Sequence, residues 1–139
     1  MTFHNVITHQ SNRIIEQPHF FILSKGKNAG KPLKESCPNC FLITVKDEEE
    51  SEHLYWIAYI LWKSDFWHQY QIGSVIPFIR INTFKSYFRT EVIRAYKKHL
   101  KHQDFVNRIR QLEALQQSYS KTMDQIEKLK WALLQNQLR

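Results

Sequence analysis

The chain has 139 residues and a formal net charge of +7, with 14% aromatic side chains but only three glycines and four prolines. That length fits one ordinary domain, or a small domain with a helical appendage, and the composition argues against disorder. The longest apolar run, Leu54 to Trp62, falls well short of the roughly 18 residues that a bilayer-spanning helix needs. The first residues show no positive n-region and no cleavage pattern, so neither a secretory signal nor a membrane partner is expected. A soluble, cytoplasmic protein follows as the expectation.

The polar stretch over residues 1–18 offers Val6, Ile7, Ile14 and Ile15 as anchors for a short edge strand or for a segment lying over the core. His19 to Leu23 reads as a strand. The stretch Ser24 to Pro32 superficially resembles a phosphate-binding loop. Its spacing from Gly26 to Gly30-Lys31 is one residue short, however, and Pro32 replaces the Ser or Thr that would hold magnesium. A basic surface loop between strands is the expectation there.

Cys37 and Cys40 are spaced as a single Cys-x-x-Cys. Such a pair can be a redox couple, half of a zinc site, or two small residues in a turn. A zinc site needs four ligands, and no second pair or neighbouring histidine pair is present. Because Cys40 to Val45 reads as a strand, not as the start of a helix, a structural turn is the preferred reading. No metal, cofactor or catalytic residue is assigned.

The acidic cluster after that strand precedes Leu54, Ile57, Ala58 and Leu61, whose spacing of i, i+3, i+4 and i+7 predicts one helix face. The acids suit the positive end of that helix. Ser64 or Asp65 is a candidate cap for a short helix carrying Phe66, Trp67 and Tyr70. Gly73-Ser74 breaks it, and Val75 to Ile81 reads as extended, with Pro77 placing it at a sheet edge. Asn82 is a candidate N-cap, and Thr90 a candidate start of a further helix. The fold class expected is α+β: a small mixed domain over residues 1–88, then a basic helical segment over 89–139.

Charge is unevenly distributed along the chain. Residues 1–84 hold eight basic and eight acidic side chains, whereas residues 85–139 hold twelve and five, which is the whole excess of seven. Arg94, Lys97, Lys98, Lys101 and Arg108 fall at helical spacing along one side, with His99 and His102 nearby. Val92, Ile93, Tyr96 and Leu100 are placed to cover the other side. A basic stripe of this kind can track phosphates, so duplex DNA is the candidate partner, against the alternative of a merely solvated face.

Beyond it the apolar residues are Phe105, Ile109, Leu112, Leu115, Tyr119, Met123, Ile126, Leu129 and Leu133. One position recurs every seventh residue and the second alternates between adjacent slots. About four heptads of this kind predict coiled-coil-like packing against a second copy or a helical protein partner, parallel or antiparallel. Tyr119 and the wandering second position argue against a strict two-stranded zipper, and an antiparallel helical hairpin or a short bundle fits equally well.

Three segments in order carry a resemblance: Leu54 to Ser64, Gly73 to Ile79 with the short helix around Phe84, and the long helix ending Ile126 to Gln135. Together they resemble one half of a type I restriction–modification specificity subunit, a target-recognition domain followed by a spacer helix. The likeness covers about residues 54–88 and 105–138. It implies a non-enzymatic DNA-binding module whose Leu112 to Leu133 seam meets a dimer mate or partner. The family's proline-rich link before the spacer is replaced here by Arg89 to Gln103, and the N-terminal part is short for a complete recognition domain. The chain also resembles short uncharacterised proteins of gut Bacteroides-type bacteria, which implies no activity. The alternative function is a protein–protein adaptor that kept the fold without reading DNA. No H-E-x-x-H or G-x-S-x-G motif supports an enzyme.

Overall fold

The computed structural model describes residues 4–139, with the backbone alone for 99–103. The fold is α+β. Four strands, β1 (Asn5–Thr8), β2 (His19–Leu23), β3 (Pro32–Leu33) and β4 (Cys40–Thr44), form one antiparallel sheet in the order β1-β4-β2-β3. Three α-helices follow: α1 (Glu48–Lys63), α2 (Ile81–Lys97) and α3 (His99–Leu138), with a short 3₁₀ helix at Phe66–Tyr70. No helix among the described residues is long and apolar enough to cross a membrane.

The central strands are continuous apolar runs because both faces of the sheet are covered. Alternation along each strand sorts the side chains. Val6, Phe20, Ile22, Phe41 and Ile43 enter the main core with α1, α2 and the 3₁₀ helix. Phe21, Cys40 and Leu42 point to the opposite face, where Ile7, Ile15, Leu33 and Cys37 pack over them. The N-terminal segment thus supplies an edge strand and part of a cover. Ile14, expected as an anchor, is 87% exposed, and the segment is anchored by Val6, Ile7 and Ile15 instead.

Helix α1 begins where Asp47 accepts a hydrogen bond from the Glu50 amide at 2.8 Å, satisfying one of the donors that a helix start leaves open. Its predicted face is the buried one: Leu54, Ile57, Ala58 and Leu61 all lie in the core. Asp65 stands before the 3₁₀ helix in the left-handed region (φ 58°), and its side chain makes no capping bond there. Ser64 Oγ donates instead to the Leu61 carbonyl, so the capping expected of these two residues does not occur.

Three boundary expectations are corrected. Val75 to Ile81 is not a strand, since only Phe78 makes isolated bridges, to Ile72 and to Lys25. Gly73, at φ +100°, turns the chain sharply, and the residues after it bulge outward, with Val75 90% exposed. Asn82 is not an N-cap, because α2 already includes Ile81. Thr90 does not start a helix; it lies inside α2, its hydroxyl bonded back to the Ser86 carbonyl at 3.0 Å. Phe84, Phe88 and Val92, each four residues apart, hold α2 to the core as one piece.

The stretch expected as a surface loop, Ser24 to Pro32, is partly internal. Ala29 and Gly30 are buried, and the Gly26 amide donates to the Pro77 carbonyl at 2.7 Å. The chain forms two compact units that divide after Lys97, and position 88/89 falls inside α2.

Candidate interaction surfaces

No Gly or Pro interrupts residues 99–139, which are rich in Leu and Gln, so α3 runs for 40 residues. At 1.5 Å per residue that is about 60 Å. Asp104 pairs with Arg108 at 3.1 Å and Glu127 with Lys130 at 3.2 Å, acid before base as helix electrostatics favour. Each such exposed pair adds only about 0.3–0.5 kcal/mol.

The residues of the apolar seam lie in a row along α3. Phe105, Leu112, Leu115, Tyr119, Met123, Ile126, Leu129 and Leu133 are all exposed, between 46% and 68%. Ile109 is half-buried. Trp131, Leu134 and Leu138 add exposed apolar surface that the heptad reading left out, because they occupy a neighbouring row of the helix. Single exposed apolar residues are ordinary, whereas a continuous row along one helix is a candidate interaction surface.

The basic stripe is not one helix face. Lys97 ends α2, and Lys98 (φ −105°, ψ 25°) leaves helical geometry before α3 begins. Arg94 and Lys97 belong to the first compact unit, Lys98 and Arg108 to the second, while the Lys101 side chain lies outside the described residues. Arg94 reaches back to Glu91 at 2.8 Å and Arg108 to Asp104 at 3.1 Å, so two of the four cations with described side chains have intramolecular partners. Of the residues expected to cover the opposite side of α2, Val92 is buried and Tyr96 packs at the core edge. Ile93 is exposed, since it projects from the face opposite Phe84, Phe88 and Val92.

Two cations that the stripe omitted, Lys85 and Arg89, also line the exposed side of α2. Their spacing from Arg94 and Lys97 carried the signal, since helical geometry leaves all four outside the Phe84–Phe88–Val92 face. The Arg89 charge also acts on His4, whose ring meets Phe88 edge-on at 5.4 Å. Burial first, and Arg89 second, hold the His4 pKa below its ordinary value. A histidine kept neutral in the folded state costs stability when it must be protonated. The unfolded chain takes up the proton near pH 6.5 and the folded chain only at lower pH. Stability therefore falls as the pH drops below about 6.5, and His4→Gln flattens that slope in melting curves taken from pH 7.5 to 5.5.

A second surface was not anticipated. Tyr55, Tyr59 and Trp62, at i, i+4 and i+7, carry lysines on the outer side of α1. Lys34 Nζ sits 4.0 Å from the Tyr55 ring centroid, Lys63 4.7 Å from Trp62, and Lys31 5.1 Å from Trp62. These rings are already engaged by the protein's own cations, each contact worth about 0.5–1 kcal/mol at exposed sites. The strip thus ties the β3 hairpin to α1.

Cys37 and Cys40 are both free, and Cys40 Sγ donates to the Cys37 carbonyl at 3.1 Å. Burial pushes the Cys40 thiol up to about 11, which disfavours the thiolate that redox attack or metal ligation needs. Cys40 stands at the start of β4, packed with Phe21 and Leu42.

Residues 6–136 match the model of a family of unknown function, DUF6943, which is nearly the whole chain. The chain belongs to DUF6943. The match takes in the strands from Val6 onward, α1, α2 and α3 as far as Asn136, so one family pattern spans most of both compact units of this DUF6943 chain. No curated protein and no solved structure matches it.

Proposed function

We propose that this protein is a non-enzymatic DNA-binding module that self-associates through α3. The observation that carries the reading is the exposed apolar row along α3, in a chain whose excess of seven positive charges lies entirely in residues 85–139. An apolar helix face of this length gains from burial against another helix. The cations Lys85, Arg89, Arg94, Lys97 and Lys98 are exposed beside the junction of α2 and α3 in the sequence, and duplex DNA supplies the anion density they suit. The ordered likeness to a type I specificity half-subunit supports the same reading. A cytoplasmic location goes with it.

The test is duplex binding by fluorescence anisotropy at two salt concentrations. If four phosphates are neutralised, affinity falls about 100-fold between 50 and 200 mM salt. Reversing Arg94, Lys97, Lys98 and Lys101 to Glu removes most of the binding. Undetectable binding to duplex DNA at low salt would sink this reading.

A second reading is favoured by the pairing of Arg94 with Glu91 and of Arg108 with Asp104, which lowers the charge free to meet phosphates. In that case the protein is an adaptor whose seam takes a helix of another protein. Recovery of a stoichiometric protein partner without nucleic acid would favour it.

A further inference from the structure

We infer that α3 pairs antiparallel with α3 of a second copy, about a twofold axis that passes beside Tyr119. The inference rests on the self-association reading above and goes further by fixing direction and register.

The spacing of the seam is the first ground. Successive steps from Phe105 to Leu133 are 4, 3, 3, 4, 4, 3, 3 and 4 residues, a series that reads the same from either end. Tyr119 is its centre. An antiparallel twofold pair needs this symmetry, because the surface of each copy must match the same surface reversed. Phe105 then lies level with Leu133 of the second copy, Ile109 with Leu129, Leu112 with Ile126, and Leu115 with Met123. Tyr119 meets its own counterpart.

Register is fixed by what the alternatives bring together. Sliding the second helix by seven residues one way sets Met123 against Arg108, and sliding it the other way sets Leu115 against Lys130. Either shift faces an apolar knob with a charged side chain. The register centred on Tyr119 matches all nine seam residues and also overlaps the whole helix, since twenty residues of α3 precede Tyr119 and nineteen follow it.

Area and charge supply the remaining grounds. The eight exposed seam residues offer roughly 800 Å² per copy, about what one partner contributes to a standard protein interface. Parallel pairing would bring Lys97, Lys98 and Lys101 of both copies to the same end. Antiparallel pairing separates the two basic clusters by about 55 Å, far beyond the screening length of about 8 Å at physiological salt. Against this gain, it sets Arg108 level with Lys130 of the second copy. It also sets the helix dipoles in opposition.

The test combines solution mass by light scattering with disulfide trapping in the full chain, on a Cys37→Ser, Cys40→Ala background. Mixing Phe105→Cys and Leu133→Cys chains is expected to give a mixed disulfide dimer, while neither variant links to itself. Tyr119→Cys alone is expected to link to itself. Self-linking of Phe105→Cys without the mixed product overturns the inference, although it leaves self-association standing. A monomeric mass overturns both, and a mass above that of a dimer overturns the twofold pair.

A second measurement leaves the cysteines untouched. In the antiparallel register Leu112 faces Ile126, so the variant L112E/I126K places opposite charges level with one another and still dimerises. L112E/I126E places like charges there and does not. Equal loss of dimer in both variants would count against the register.

Discussion

Phe84→Ala is expected to destabilise the first compact unit by about 3–5 kcal/mol, the range for removing a fully buried aromatic ring. Phe84 has no exposed surface. Its ring lies 4.8 Å from Trp67, 5.1 Å from Phe88 and 5.4 Å from Phe41, so it joins the 3₁₀ helix, α2 and β4 at one point. Each aromatic contact adds about 0.5–1.5 kcal/mol beyond the area buried. In a unit of this size the melting temperature falls by about 15 °C or more. Ile93→Ala on the exposed side of the same helix is the control, expected to stay within about 0.5–1 kcal/mol. Thermal and urea unfolding followed by near-ultraviolet circular dichroism distinguishes the two. Equal losses would mean that α2 is rotated from the orientation described.

Much of this body was legible in the sequence because burial there follows period. Leu54, Ile57, Ala58 and Leu61 repeat at helical spacing, and all four are buried. Phe20–Leu23 and Cys40–Ile43 are apolar runs, and the strands that contain them are central and covered on two faces. What failed were local capping and turn signals overruled by packing. Asn82 and Thr90 are good helix starters, yet Phe84, Phe88 and Val92 bind a single helix to the core across both positions. Val75 to Ile81 has strand composition, but Gly73 and Pro77 direct the chain outward and only Phe78 finds bridging partners.

The surfaces were legible to different degrees. The α3 row was legible as helical because every step in it is three or four residues, and one helix spans all of it. The basic stripe was read as one face because neither Gly nor Pro marks the departure from helical geometry at Lys98. Ion pairs between neighbouring turns, such as Glu91 with Arg94, also reduce the free charge that a count of lysines and arginines suggests. A seam repeats and so announces itself, whereas a phosphate-binding face depends on which cations the fold leaves unpaired.

Gly30→Ala carries the other large expected effect, about 2–5 kcal/mol of lost stability, and it probes the loop whose composition suggests a surface position. Two costs combine. At φ +99° the backbone is in a region that costs an L residue about 1–2 kcal/mol. A Cβ there would also lie 2.2 Å from Cδ1 and 2.7 Å from Cγ of Trp67, inside van der Waals contact. Trp67 is fully buried, its ring tilted against that of Phe84, so it has no room to retreat, and overpacking adds about 1–3 kcal/mol. Gly26 separates the two terms, since its φ is +94° but nothing lies within 4 Å of the added carbon. Gly26→Ala is therefore expected to cost only the backbone share, about 1–2 kcal/mol. The midpoint of urea unfolding measured on both variants gives the difference directly. If Gly30→Ala costs no more than Gly26→Ala, the Trp67 ring does not rest on Gly30, and the loop is as superficial as its composition suggests.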